Sequence, residues 1–172
     1  MISAIRALSL SVAAAAVLSA SPLAAQDEAG LRVGAPAPVV SVDDLDGKPI
    51  SLGEWIGKKP VLLEFWATWC TNCEALLPRL LKAREAAGNR VEFVAVNVTV
   101  NQTPERVRKY VQEHDVPFRI LYDDKGTATR AYLAPATSYV VIVDSSGRVA
   151  YTGLGADQRF EGALNRAAGL AD

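Results

Sequence analysis

The chain is poor in the residues from which metal centres are built. Its 172 residues hold two cysteines, one histidine and one methionine. Structural zinc takes four ligands; Cys70, Cys73 and a lone His114 some 40 residues away do not supply them, so no metal site is expected. The single methionine is Met1, which excludes a Met-rich copper-handling surface. Charge of one sign is lacking too. Lys and Arg number 18 against 19 Asp and Glu, nowhere concentrated as a phosphate-tracking surface requires, so nucleic acid is excluded as a partner. No apolar run approaches the roughly 20 residues needed to span a bilayer, and there is no internal repeat or low-complexity segment.

Apolar residues make up half of the chain, enough to bury the core of one compact domain. The first 25 residues stand apart. Met1–Arg6 carries one basic side chain, Ala7–Leu18 is uncharged and rich in Ala, Leu and Val, and Ser19–Ala25 combines Pro22 with small residues. That order is the architecture of a cleavable signal peptide, expected over residues 1–25, and it places the mature protein in the periplasm. A polar, Gly- and Pro-containing stretch over 26–38 reads as a tether, leaving 39–172 as the folded domain.

Within that domain the periodicity alternates. A short strand is expected around Val39–Val42, followed by a hairpin turn at Asp46-Gly47. Val61–Trp66 is continuously apolar except for Glu64, the signature of a strand buried on both faces. A helix should follow from Cys70 to about Ala87, with Leu76, Leu77, Leu80, Leu81 and Ala83 on its apolar side, Pro78 inside it and Gly88-Asn89 ending it. Val91–Val98 reads as a second buried strand. Thr103-Pro104 reads as an N-cap with proline at the first helical position, opening a helix through His114. Phe118–Tyr122 (strand), Gly126–Tyr132 (helix), Tyr139–Val143 and Val149–Tyr151 (a hairpin across the Asp144–Gly147 turn) and Phe160–Ala168 (helix) complete the chain. The expected fold class is α/β, with a mixed sheet covered by helices on both faces.

Cys70-Thr71-Asn72-Cys73 falls where the buried strand meets the long helix. The free N–H groups and partial positive charge of a helix start stabilise a thiolate, which makes Cys70 the nucleophile, with Cys73 one turn further in and able to close a disulfide with it. So short a loop removes little entropy from the unfolded chain, so a structural staple is the poorer explanation of the pair. Glu64, six positions before Cys70, alternates towards the layer under the active helix. Desolvated there, its carboxylate would take the proton from Cys73; the alternative is an ordinary exposed Glu at a sheet edge. Trp69 offers an apolar contact surface beside the sulfur, whereas Trp66 belongs to the core. His114 reads as a surface residue at a helix C-terminus.

The run Phe65-Trp66-Ala67-Thr68-Trp69-Cys70-Thr71-Asn72-Cys73, with Pro78 five residues on, resembles thioredoxin-like proteins of the TlpA/ResA class. Val33-Gly34-Ala35-Pro36-Ala37-Pro38, Leu45-Asp46-Gly47, Leu52 and the ending Val143-Asp144-Ser145-Ser146-Gly147-Arg148-Val149 extend the resemblance over roughly residues 32–168. It implies a thioredoxin fold with an extra N-terminal β element, and an exported or membrane-tethered oxidoreductase that reduces or shuffles disulfides in other proteins. It implies no cofactor. Its partners would be protein thiols or disulfides and a membrane electron donor. Glu64 falls where thioredoxins place a buried Asp. The chain departs from the pattern where such proteins carry a cis-proline beside the cysteines. A gapless count back from Asp144 reaches Thr137-Ser138, so Ser138 replaces that proline, unless Pro135 serves after a local shift; Thr137 and Ser138 then join Trp69 as substrate-binding candidates. Two other chemistries remain open from the residues alone, a peroxiredoxin-like thiol peroxidase and a copper-binding chaperone. The first wants a proline seven residues before Cys70, where Leu63 stands.

Overall fold

A computed structural model describes residues 30–170; the expected signal peptide lies outside them. Strands rich in apolar residues form the centre. β3 (Val61–Trp66) pairs in parallel with β4 (Glu92–Val98), and β4 in turn with β5 (Arg119–Asp123). On the other side of β3 runs β6 (Tyr139–Val143), antiparallel, with β7 (Val149–Leu154) antiparallel to β6. A hairpin of β1 (Ser41–Asp43) and β2 (Pro49–Ser51) adds to the β5 edge, giving the order β2-β1-β5-β4-β3-β6-β7. The mixed sheet and the extra N-terminal β element are thus as expected.

Both hairpin turns are set by one device. Asp44 Oδ1 accepts from the N–H groups of Asp46 and Lys48, and Asp144 Oδ1 from those of Ser146 and Arg148; such short acidic side chains stand in for a backbone turn.

Two apolar layers follow from strand alternation. Leu62 and Trp66 of β3 face α1 (Thr71–Ala87), α2 (Pro104–Glu113) and α4 (Glu161–Ala168) through Leu76, Leu80, Val107, Ala163 and Leu164. Val61, Leu63 and Phe65 face the other layer, closed by Leu52, Ile56, Tyr132 and α3 (Thr127–Ala131) through Ala128. Each fully buried Leu, Ile or Val contributes about 1.5–3 kcal/mol.

Most boundaries shift by one or two residues from the sequence reading; two differences are larger. β7 continues to Leu154 because Thr152 and Gly153 pair with Val141 and Val140; at Gly153, a poor strand former, the ladder outweighs propensity. The end of the stretch read as a tether is fastened to the domain. Gly34 N–H donates to Val149 O, Val149 N–H to Ala35 O and Ala37 N–H to Gly147 O, and Ala37 is buried.

Candidate active site

β3 ends at Trp66, the chain turns through Ala67–Trp69, and Cys70 caps α1. Its Sγ accepts the N–H of Cys73 at 3.1 Å. A donor already aimed at this sulfur is what a thiolate requires, since the first turn of a helix leaves its N–H groups without intrahelical acceptors. Cys70 and Cys73 are joined as a disulfide, with Cα atoms 5.2 Å apart. Both sulfurs are shielded, while Trp69, directly before Cys70, is half exposed.

The turn is tied down from β4 and the loop after it. Gln102, buried, accepts the Thr68 N–H at 3.1 Å and an Asn97 Nδ2–H at 3.3 Å through Oε1, and donates through Nε2 to Thr68 Oγ1 at 3.1 Å and Asn101 O at 2.9 Å. All the hydrogen-bonding capacity of this amide is used. Asn97 also donates to Trp66 O, and the Trp69 indole N–H to Val100 O at 2.7 Å. The indole of Trp69 therefore stands at a fixed angle beside Cys70, one edge anchored and the rest free for a partner.

Glu64 lies on the same face of β3 as Leu62 and Trp66, 5% exposed. The exposed-edge alternative fails because β3 is flanked by β4 and β6, with Ala95 and Val140 opposite Glu64. Its carboxyl shares a cavity of about 10 Å³ with Cys73, Trp66, Leu77 and Tyr110, space for about one water. Among the described residues Glu64 Oε1 has no hydrogen-bond partner, nor has Trp66 Nε1. Desolvation, with no cation to offset it, pushes the carboxyl up from 4.5 to about 8.

Beside the end of β3 lies a tight turn with Thr137 and Ser138 at its centre. Every peptide bond of the described residues is trans. Ser138 donates its N–H to Phe65 O at 2.7 Å and adopts a left-handed φ of 63°, and Pro135 sits exposed in the preceding loop. Ser138 is fully buried, with its Oγ accepting from Gly155 N–H and its carbonyl from Gln158. It offers no surface to a substrate. Thr137 is partly exposed, and its main chain makes no hydrogen bond to the described residues.

His114 caps the C-terminus of α2, with its ring stacked 3.9 Å from that of Tyr110. Asn97, Gln102 and Gln158 escaped sequence reasoning. Asn97 could have been found, because it interrupts an apolar strand just as Glu64 does; the glutamines sit among polar loop residues and carry no signal.

The Redoxin family model matches residues 32–167. The chain belongs to the Redoxin family. Among curated relatives, the thioredoxin-like protein YneN of Bacillus subtilis (strain 168) is 37% identical over 66% of this chain and 68% of its own length. A thiol-disulfide oxidoreductase ResA of Bacillus thuringiensis is 30% identical over 71% of this chain and 69% of its own. The solution structure of a thiol:disulfide interchange protein from Bacteroides sp. superposes with a TM-score of 0.69 at 23% identity, over 83% of this chain and 93% of that one; that likeness establishes the thioredoxin fold. With a bonded cysteine pair at a helix N-terminus, this redoxin is a thiol–disulfide oxidoreductase.

Proposed function

We propose that the protein works outside the cytoplasm, exported by residues 1–25, and reduces disulfides in other proteins through Cys70 and Cys73. The observation that carries this reading is the cavity that joins Glu64 to Cys73 behind a Cys70 sulfur already receiving a backbone N–H.

The cycle starts from the dithiol. The Cys70 thiolate attacks one sulfur of the substrate disulfide, the other substrate sulfur leaves as thiolate and takes a proton from solvent, and a mixed disulfide remains. The Cys73 thiol gives its proton to ionised Glu64, and its sulfur attacks Cys70 Sγ. The Cys70–Cys73 bond forms and the second substrate thiolate departs. A carboxyl near 8 is closely matched to a thiol of about 8.5, which is where general-base transfer is most effective. The oxidised protein then holds a protonated Glu64. Two electrons must come from a dithiol donor, which we assign to a membrane protein; its exchange with the Cys70–Cys73 bond returns the Glu64 proton to Cys73, leaves Cys70 as thiolate and releases the donor's two protons to solvent. Trp69 and the Thr137 main chain would receive the substrate, the first by apolar contact and the second by strand-like pairing.

Neutral Thr71 and Asn72 between the cysteines leave the thiolate without a cationic neighbour in the motif, which favours a reductase over a strong oxidant. Titration of the mature domain against dithiothreitol and glutathione buffers, followed by tryptophan fluorescence, tests this. A potential near or below about −270 mV is expected, and one towards about −120 mV would make the protein an oxidase.

A further inference from the structure

Ser138 is the one non-glycine residue with positive φ that is also buried among the described residues. L side chains disfavour that conformation, so something must hold it. Its N–H goes to Phe65 O at 2.7 Å, which a proline could not do, and the left-handed φ is closed to a proline ring. Its Oγ accepts the Gly155 N–H at 3.1 Å. Its carbonyl accepts Gln158 Nε2–H at 2.9 Å, while the same amide nitrogen donates to Gly155 O at 2.7 Å.

Gln158 is itself buried and fixed. The Tyr151 hydroxyl meets its Oε1, and its main-chain oxygen accepts from Arg79 at 2.6 Å. Arg79 lies on α1, the helix that carries Cys73, and also donates to Ala156 O and pairs with Glu161. The 155–158 loop is therefore referenced to the cysteine helix at one end and to the Thr137–Ser138 turn at the other.

We propose that Gln158 is a positioning residue that locks the Thr137–Ser138 turn in its left-handed shape, in place of a proline, so that the main chain of Thr137 is presented to protein substrates. This rests on the reading of the protein as a reductase of protein disulfides. Ser138 is spent on internal hydrogen bonds, and the unpaired groups are those of Thr137. A protein substrate needs them for strand-like pairing beside Cys70. A small disulfide needs only the sulfur. The lock thus governs affinity for proteins and leaves the sulfur chemistry alone.

The experiment compares reduction of insulin with reduction of a small aromatic disulfide by the full mature protein and by Gln158→Ala. Loss of one buried hydrogen-bond donor should raise KM for insulin by roughly tenfold. The kcat, and the rate on the small disulfide, should stay within about twofold, the split that separates binding from chemistry. Adding Ser138→Gly to Gln158→Ala should recover most of the KM, because glycine takes the left-handed conformation without support. If Gln158→Ala does not fold, Ser138→Ala, which removes only the Oγ acceptor, should raise the insulin KM in the same direction by about threefold. An active wild type whose variants slow equally on both disulfides, or on neither, overturns the lock alone. A wild type inert towards both overturns the reductase reading itself.

Discussion

The two faces of β3 carry different loads. On one, Val61, Leu63 and Phe65 are buried among apolar side chains, with the Phe65 ring packed against Tyr132 and Tyr139 at centroid distances of 5.6 and 5.8 Å. On the other, Leu62 and Trp66 flank Glu64, whose Oε1 is unpaired and whose neighbour Trp66 leaves its indole N–H unpaired too. Burying a polar group without a partner costs about 1–3 kcal/mol. A strand so well covered would be more stable with an apolar residue at 64. The cost falls on the face towards α1, where Cys73 lines the same cavity. The apolar face therefore supplies stability, and the Glu64 face gives some of it up for a group whose proton affinity approaches that of a thiol.

Substitution on the apolar face should have the largest effect on folding and none on chemistry. Leu63→Ala, fully buried, should lower unfolding stability by about 3 kcal/mol in urea titration, while the potential of the cysteine couple stays unchanged. Glu64→Gln should do the reverse. It keeps the shape and removes the base, so the second step, closure of the Cys70–Cys73 bond, should slow by roughly a hundredfold in single-turnover kinetics. The rise of that rate as pH approaches about 8 should vanish with it.

The same carboxyl writes a pH signature into stability. Unfolded, Glu64 titrates near its ordinary 4.5; folded and oxidised, it holds its proton to about 8. Between those values the native state binds more protons than the unfolded one, so stability falls as pH rises. The contribution is fully present below about 4.5 and lost above about 8, with a slope on the order of 1 kcal/mol per pH unit. Urea midpoints of the oxidised protein at pH 5 and pH 8 should show this fall, and Glu64→Gln should flatten it. An unaltered pH dependence in that variant would mean that the carboxyl is solvated.

Which parts were legible beforehand follows the same physics. Periodicity located β3 and β6 to the residue, because strands buried on both faces are written as continuous apolar runs. The position of Cys70 at a helix start followed from the strand-to-helix junction, and Glu64 stood out as the one charge in such a run. The left-handed turn at Ser138 was not legible. A serine carries no bias to positive φ, and the partners that hold it there, Gly155 and Gln158, are brought in from another loop. Gln102 was hidden for the same reason, since nothing in a polar loop says that its amide will be buried against Thr68, 34 positions away.

That brace offers the smallest effect and the finest test of the comparison. Gln102→Ala removes the acceptor for Thr68 N–H and the donor to Thr68 Oγ1, at the end of β3 where the two faces meet the catalytic turn. The loss should cost about 1–2 kcal/mol of stability, less than Leu63→Ala. It should also loosen the geometry that aims the Cys73 N–H at Cys70 Sγ, which Leu63→Ala leaves intact. A weaker hydrogen bond to the thiolate raises the thiol pKa of Cys70, visible as an upward shift in the thiolate absorbance titration of the reduced protein. If the titration does not move while stability falls, the turn is held by the capping of α1 alone, and Gln102 belongs with the apolar face as a purely structural support.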